Sequence, residues 1–257
     1  MISLIAATML AASVLSQAPD TAHCDSMPIT PPPVVPGSRM PFALNEDLHY
    51  SASFGKLHVG SGEMRILGAE TVRGRSTLRA IFTISGGFLF LHVHDTTESW
   101  FDTSTFHSLR FVQALHEPHY HANRDFQIFP AREMLRDREG REQPSVADPL
   151  DDVSFVYYVR TLPLEPGQCY EFRRYFKRSG NPVVVHVVRR DTVSVPAGTF
   201  RAIVIRPEVT TSGIFAKGKA ELWLSDDSQR LLLQLKSSLP FGSINLYLKS
   251  IGPDTPQ

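Results

Sequence analysis

Apolar and polar side chains alternate over long stretches of this chain. From Glu46 onward the period is two, and one face of the segment carries Leu48, Tyr50, Ala52 and Phe54. An alternation of this kind is typical of a β-strand with one buried face. Gly55-Lys56 predicts a tight turn, and residues 57–67 are predicted to return as the second strand of a hairpin.

The same signals continue to the end of the chain. Residues 191–251 contain short β-branched and aromatic runs that Pro, Gly and Asp-Asp turns interrupt, which is typical of an antiparallel sheet. Further strands are predicted over residues 78–84, 93–102, 108–115, 125–129, 170–177 and 183–190. The charged stretch 132–142 has no net charge and is interpreted as a solvated connection between strands.

One segment has a helical pattern instead. In residues 151–162 the spacing of Val153, Val156, Tyr157 and Arg160 is helical, Asp151 can cap the first turn, and a proline follows the segment. The chain is therefore predicted to be all-β and mostly antiparallel, with about ten strands and one short helix that covers one side of the sheet. The curved sheet would close as a sandwich or an incomplete barrel.

Composition and charge argue against one class of partner. The 257 residues are 42% hydrophobic, and Lys+Arg and Asp+Glu number 26 each. Such a chain can bury a full hydrophobic core, but it has no net positive charge whose electrostatic field would attract nucleic acid. Nucleic-acid binding is therefore not expected.

The chain begins with an apolar segment that is too short to cross a bilayer. Residues 2–15 suit the core of a secretory signal, so we predict a signal peptide over 1–18 and a periplasmic or otherwise exported protein. A proline-rich flexible arm over 19–44, a single β domain over 45–252 and a disordered tail over 253–257 would follow. No later segment predicts a membrane helix in the mature chain.

Two cysteines, Cys24 and Cys169, would remain after cleavage of the signal. An exported compartment is oxidising enough to join them in a disulfide. A free Cys24 in the arm is the alternative interpretation.

Several motifs occur in a fixed order along the chain. Asn45-Glu-Asp-Leu-His-Tyr is followed by Gly60-x-Gly62, by the central Asp148 to Arg160 segment with Ser154, Tyr157 and Tyr158, by Val195-Pro-Ala-Gly-Thr-Phe, and by Trp223-Leu-Ser-Asp-Asp. This ordered set resembles the bacterial domain-of-unknown-function family numbered 3108. The resemblance covers roughly residues 46–251 and implies an all-β protein of the Gram-negative envelope, with no assigned activity or catalytic residue. Leu231-Leu-Leu and the histidines around His116 depart from the family's pattern.

No nucleophile motif or cofactor motif is found. Gly-x-Ser-x-Gly is absent from the sequence, and Gly60-Ser-Gly62 favours a bulge or a close backbone contact within a strand. Asp151-Asp152 is interpreted as a helix cap and Asp226-Asp227 as a turn. We therefore expect no catalytic residue and no cofactor.

Two histidine clusters are the remaining polar candidates. His92 and His94 would project to one face of a strand, and His116, His119 and His121 follow later, with Glu117 or Asp95 near them. Imidazole and carboxylate groups bind zinc, so a metal-dependent hydrolase is one alternative function. Alternating polar residues on a solvated sheet face would produce the same pattern.

Bulky apolar residues next to glycines suggest a binding surface. Phe88, Phe90 and Phe215 follow Gly86-Gly87 or Gly213, and Tyr157 and Trp223 are expected to belong to the same interior. The leading hypothesis is a non-enzymatic exported protein that binds a lipid, another hydrophobic ligand or an envelope protein with these five residues. Ordinary core packing and a purely structural envelope scaffold are the alternatives.

Overall fold

The chain folds around one curved antiparallel sheet. The computed structural model describes residues 27–32, 40–88, 91–117, 120–210, 220–239 and 242–252. Within these residues the strands are β1 (Asp47–Phe54), β2 (Leu57–Val72), β3 (Arg75–Phe88), β4 (Leu91–Asp102), β5 (Ser108–Glu117), β6 (Tyr120–Phe129), β7 (Met134–Arg136), β8 (Glu142–Pro144), β9 (Cys169–Phe172), β10 (Val183–Val195), β11 (Gly198–Glu208), β12 (Ala220–Ser225), β13 (Leu232–Leu239) and β14 (Gly242–Ile251). One helix, α1 (Asp152–Val159), lies between β8 and β9.

The sheet has a simple strand order with two edges. It runs β8-β7-β6-β5-β4-β3-β2-β1-β14-β13-β12-β11-β10-β9, so every neighbouring pair is consecutive in the chain except β1 and β14. The pairing of β1 with β14 joins the two halves, with Ala52 opposite Leu246 and Tyr50 opposite Leu248. The predicted all-β fold with one helix is thus confirmed.

The strand count is higher than the predicted ten, since the described sheet has 14 strands. Two of the additional strands, β7 and β8, lie in and just beyond the charged stretch that was interpreted as a solvated connection, and that interpretation is wrong. β7 and β8 end the sheet: Leu135 of β7 is buried opposite Ile128, while the charged side chains of Arg136 and Glu142 are exposed. The alternating charges of this stretch therefore gave no sequence signal for the strand pair β7–β8.

One face of the sheet packs against the helix, and we call it the inner face. Phe101 on β4 stacks on Tyr157 of α1, with ring centroids 5.5 Å apart. Phe101 pairs with Leu78, and the inner residues of the neighbouring strands, among them Tyr50 and Met64, are almost fully buried. The alternation seen in the sequence thus separates this inner face from an outer face, which is more exposed along β2.

The helix begins where its capping residue predicts. Asp151 accepts hydrogen bonds from the backbone N–H groups of Val153 and Ser154, both at 2.9 Å, and Ser154 Oγ accepts from the Asp151 N–H. This reciprocal arrangement is a capping box. The helix ends at Val159, with Arg160 as its C-cap, so it is shorter than the predicted 151–162 segment.

The sheet has a distal end and a proximal end, named by their positions relative to α1. The distal end carries the β1–β2 turn at Gly55 and the C-terminal ends of β3 and β5. The proximal end carries the β2–β3 turn at Arg73-Gly74 and the contacts with α1. The inner face therefore runs from the helix at the proximal end to these connections at the distal end.

The predicted close backbone contact at Gly60 is present near the distal end. Gly60 on β2 lies opposite Gly86 on β3, and a β-carbon added at Gly60 would lie 2.1 Å from the Ser85 carbonyl oxygen. The facing strand β1 has a register shift between Ala52 and Ser53. The missing side chains thus allow the strands to approach each other where the sheet bends.

We expect Gly60→Ala to lower the free energy of unfolding by about 1–3 kcal/mol, because the methyl group must displace backbone rather than a flexible side chain. Urea denaturation would measure the loss. Ser61→Ala is the control, since Ser61 is exposed on the same strand. A Gly60→Ala protein as stable as this control would contradict the steric interpretation.

A short N-terminal segment covers the β9 edge. The Ile29 N–H donates to the Cys169 carbonyl oxygen at 2.8 Å, and the Glu171 N–H donates to the Ile29 carbonyl oxygen at 3.0 Å. Cys169 is buried, whereas Cys24 lies outside the described residues, so the disulfide stays a prediction. The pairing of Ile29 with β9 favours that disulfide because it holds the chain just after Cys24 beside Cys169.

The segment just before β1 also packs against the fold. Phe42 is buried and contacts Phe106 and Tyr157, with ring centroids 6.1 and 4.8 Å apart. The predicted signal peptide and the predicted tail lie outside the described residues. Within the described part of the chain, no helix is long and apolar enough to cross a membrane.

Candidate ligand-binding site

Side chains fill the inner face at the proximal end but not at the distal end. Along β3, Leu78 and Ala80 are 1% and 0% exposed, whereas Phe82 and Ile84, which follow on the same face toward the distal end, are only partly buried. Strand β5 shows the same change from buried Phe111 to partly buried Leu115. The distal half of the inner face therefore presents apolar side chains that the protein does not cover completely.

The helix explains why the proximal half is filled. Every residue from Val153 to Val159 is buried, and Phe101 and Phe106 stack on each other beside the helix at 5.7 Å. Apolar residues all round a helix are typical of a segment enclosed on every side. Because α1 is short and packs at the proximal end, it does not itself extend over the distal half of the inner face.

Polar side chains occur on this distal half. Gln113 on β5 pairs with Arg124 on β6, next to the pair of Phe111 and Phe126 on the same face. Arg124 Nη1 donates to Gln113 Oε1 at 2.6 Å. The register of the strands thus places a guanidinium group on the inner face, which also carries the polar residues Gln113 and Asp95 beside its apolar ones.

A loop after β9 brings a second cation to the same region. Lys177 Nζ lies 5.2 Å from the ring centroids of Phe126 and Phe176. Asn181 holds the loop, since its Oδ1 accepts from the Tyr175 N–H at 2.9 Å and its Nδ2 donates to the Tyr175 carbonyl oxygen at 2.8 Å. The ammonium group therefore has a defined position over an aromatic surface.

Asp152, the first residue of α1, completes what we call the inner charged cluster: Arg124, Lys177 and Asp152. The Tyr175 hydroxyl donates to Asp152 Oδ1 at 3.1 Å. Burial raises the pKa of Asp152, although the Tyr175 hydrogen bond and the charges of Lys177 and Arg124 oppose this. Burial and the charge of Arg124 lower the pKa of Lys177, and Asp152 opposes that shift. The three charges thus act on one another in a partly desolvated site.

The structure places two of the predicted binding residues away from this surface. Tyr157 is 0% exposed in the proximal core, and within the described residues its hydroxyl has no hydrogen-bond partner. Trp223 lies on the outer face near Arg189, whose guanidinium carbon is 5.9 Å from the ring centroid. Leu222 pairs with the inner residues Leu235 and Ile205, so the period of two turns Trp223 outward.

The other predicted binding residues fall at or beyond the limits of the described structure. Phe88 is the last residue of β3, but its side chain is not described, and Phe90 and Phe215 lie outside the described residues. Their role as ligand contacts stays a prediction. The described structure therefore does not bring the predicted aromatic set together.

The described members of the two histidine clusters lie on the outer face. His92 and His94 are exposed, and His94 Nδ1 is 2.7 Å from Ser85 Oγ. His116 and His121 form a cross-strand pair with ring centroids 5.6 Å apart, while His119 lies outside the described residues. Among the residues that the structure describes, no three His, Cys, Asp or Glu side chains are grouped to hold a metal ion.

Asp95 and Glu117, the two carboxylates considered with these histidines, do not complete such a site in the described structure. Asp95 pairs with Ile84 and lies on the opposite face from His94, and its Oδ1 accepts from the His116 N–H at 3.0 Å. Burial raises the pKa of Asp95. The Glu117 side chain is not described.

The inner charged cluster was not predicted from the sequence. Arg124 could have been found, because Ala122, Phe126 and Ile128 alternate with polar residues in β6 and Arg124 falls in the apolar register. Lys177 carries no comparable signal, since it lies in a loop after β9. Asp152 was interpreted only as part of a helix cap.

Comparison with known proteins agrees with this architecture. A family model described as "Protein of unknown function (DUF3108)" matches residues 49–249. The chain belongs to the DUF3108 family. No protein of curated function matches this DUF3108 chain.

Solved structures with similar folds have very different sequences. A β-barrel-like protein of the domain of unknown function DUF1849 from Brucella abortus is 9% identical, with a TM-score of 0.53, and the match covers 82% of this chain and 98% of that one. A protein with a YmcC-like fold from Bacteroides fragilis is 11% identical, with a TM-score of 0.38 and coverages of 83% and 98%. The first of these likenesses shows that the DUF3108 chain has a β-barrel-like fold.

Proposed function

We propose that this protein is a non-enzymatic, exported binding protein that holds the acyl chain of a lipid on the distal half of its inner face. The observation that carries the proposal is the change in burial along β3, from Ala80 at 0% exposed to the partly buried Phe82 and Ile84. Partly uncovered apolar residues within a concave sheet favour an apolar ligand, because its binding removes their surface from water.

Export is part of the proposal and rests on the apolar segment over residues 2–15. An exported protein meets envelope lipids, which supply acyl chains. The geometry supports a binding protein better than a metal-dependent hydrolase, because the described members of the histidine clusters are on the outer face and the described residues hold no group of three metal-binding side chains.

The test is native mass spectrometry of the purified mature protein after incubation with a lipid extract from a Gram-negative envelope. We expect a mass increase that corresponds to a bound lipid. Ile84→Asn should abolish most of it, because a polar group on the inner face disfavours acyl contact. Thr83→Asn is the matched control, since Thr83 is the adjacent residue on the outer face.

Absence of any bound lipid from the wild-type protein would overturn the proposal. Equal loss of lipid in both variants would also count against it, because the effect would then not follow the inner face. Recovery of an envelope protein in place of lipid would favour the structural scaffold instead.

A further inference from the structure

The inner charged cluster lies where the inner face changes from filled to uncovered. Arg124 precedes Phe126 by two residues in β6 and so shares its face, and Lys177 Nζ is 5.2 Å from the Phe126 ring centroid. Phe126 itself is 9% exposed and belongs to the core. An ammonium group and a guanidinium group therefore border the last filled layer of the interior.

Bringing two cations into a partly desolvated site is unfavourable for both. The charge of Arg124 lowers the pKa of Lys177, and burial lowers it further. Asp152 offsets part of this repulsion. A bound anion would offset more of it, since opposite charges attract more strongly where water is partly excluded.

The cluster lies at a useful distance from the uncovered apolar residues of β3. Strands β4 and β5 lie between β3 and β6. At a spacing of about 4.8 Å per strand, β3 and β6 are therefore roughly 14 Å apart. An extended acyl chain of about twelve carbons spans this distance. A ligand could contact Phe82 and Ile84 with its tail and reach Arg124 with its head group.

We infer that the ligand is an acyl chain with an anionic end, a carboxylate or a phosphate, which lies beside Lys177 and Arg124 while the chain covers Phe82 and Ile84. This inference rests on the proposed function and adds the chemistry of the head group. The carboxylate or phosphate would accept hydrogen bonds from the ammonium and guanidinium groups, and the aromatic rings beneath Lys177 keep that site partly dry.

Calorimetric titration of the wild-type protein with three ligands of one chain length tests the inference. The ligands are dodecanoate, dodecyl phosphate and 1-dodecanol, each below its micelle concentration. We expect both anions to bind at least about ten-fold more tightly than the alcohol, because charged hydrogen bonds form only with the anions. This comparison does not depend on the folding of any variant.

Variants then locate the head group. Lys177→Met keeps a straight side chain over the two rings but removes the charge, and we expect about ten-fold weaker binding of dodecanoate with 1-dodecanol unchanged. Arg124→Gln should act in the same direction. Arg141→Met is the control, since Arg141 is 72% exposed in the turn between β7 and β8, and it should leave all three affinities unchanged.

The outcomes separate the inference from the proposed function. Equal affinity for dodecanoate and 1-dodecanol, or equal effects of Lys177→Met on both, would overturn the anionic head group and leave acyl binding in place. Failure of all three ligands to bind would count against acyl binding itself. Weakened dodecanoate binding in Arg141→Met to the same extent as in Lys177→Met would show a general charge effect and overturn the assigned position.

Discussion

Replacing Arg160 by methionine should lower the free energy of unfolding by about 3–5 kcal/mol, because it leaves the Glu46 carboxylate buried without its partner. Arg160 Nη1 donates to Glu46 Oε1 at 2.7 Å and Nη2 donates to Glu46 Oε2 at 2.6 Å, and the two side chains are 0% and 4% exposed. Burial opposes the charged guanidinium, but the hydrogen bonds to Glu46 and its charge outweigh burial and raise the pKa of Arg160.

The loss should be large because Arg160 also joins segments that are distant in the chain. Its Nη2 donates to the carbonyl oxygens of Pro41, at 3.1 Å, and Gln229, at 3.0 Å. The guanidinium thus links the end of α1 to the segment before β1 and to the β12–β13 turn. These carbonyl groups would also lose a charged donor.

Chemical denaturation of Arg160→Met would measure this loss. Arg132→Met is the matched control, because Arg132 pairs with Glu142 at 2.8 Å but is 55% exposed, and exposed pairs contribute only about 0–1 kcal/mol. Similar losses in both variants would contradict the role assigned to the buried pair.

The second large effect should appear as a change of stability with pH, and it arises from Asp151. Burial raises the pKa of this carboxyl to about 6, despite hydrogen bonds from Ser108, Ser99 and the Ser154 N–H that oppose the shift. A folded-state pKa above the unfolded value means that the folded protein binds the proton more tightly. The contribution of Asp151 to stability is therefore present below about pH 4 and is lost as the pH rises toward 6 and beyond.

Asp151→Asn should remove this dependence while keeping the cap, since asparagine is an equally good N-cap residue. We expect the difference in unfolding free energy, variant minus wild type, to rise by about 3 kcal/mol between pH 4 and pH 7. Urea denaturation at several pH values would measure it. Parallel pH profiles for Asp151→Asn and the wild type would contradict the assignment. Glu139→Gln is the control: the Glu139 side chain is 63% exposed, so this variant should give a pH profile parallel to that of the wild type.

Local features of the fold were predictable because they depend on neighbours in the chain. The alternation in β1 identifies the buried residues Leu48 and Tyr50, and the capping box at Asp151 identifies the start of α1. The close backbone contact at Gly60 was predictable because glycine inside a strand often marks a bulge or a close approach of another backbone segment. Each of these depends on residues a few positions apart.

Other features of the fold could not be predicted from the sequence. Alternation with a period of two assigns the residues of a strand to two faces of the sheet, but it does not show which face packs against the rest of the protein. In Leu222-Trp223-Leu224 all three residues are apolar and buried, so only the sheet register shows that Trp223 faces outward. The strands β7 and β8 were missed because each is only three residues long, too short for a period of two to be recognised, although Leu135 of β7 is buried. Aromatic bulk alone therefore identified Trp223 as a buried residue but not the face of the sheet on which it lies.

Residue types and their spacing along the chain were enough to establish an antiparallel β protein with one capped helix. The folded arrangement was needed to join β1 to β14, to bring Arg160 onto Glu46, and to place Lys177 beside Arg124. The physical reason is range: backbone periodicity and capping act over a few residues, whereas a buried ion pair or a charged cluster depends on which distant segments the curved sheet brings together.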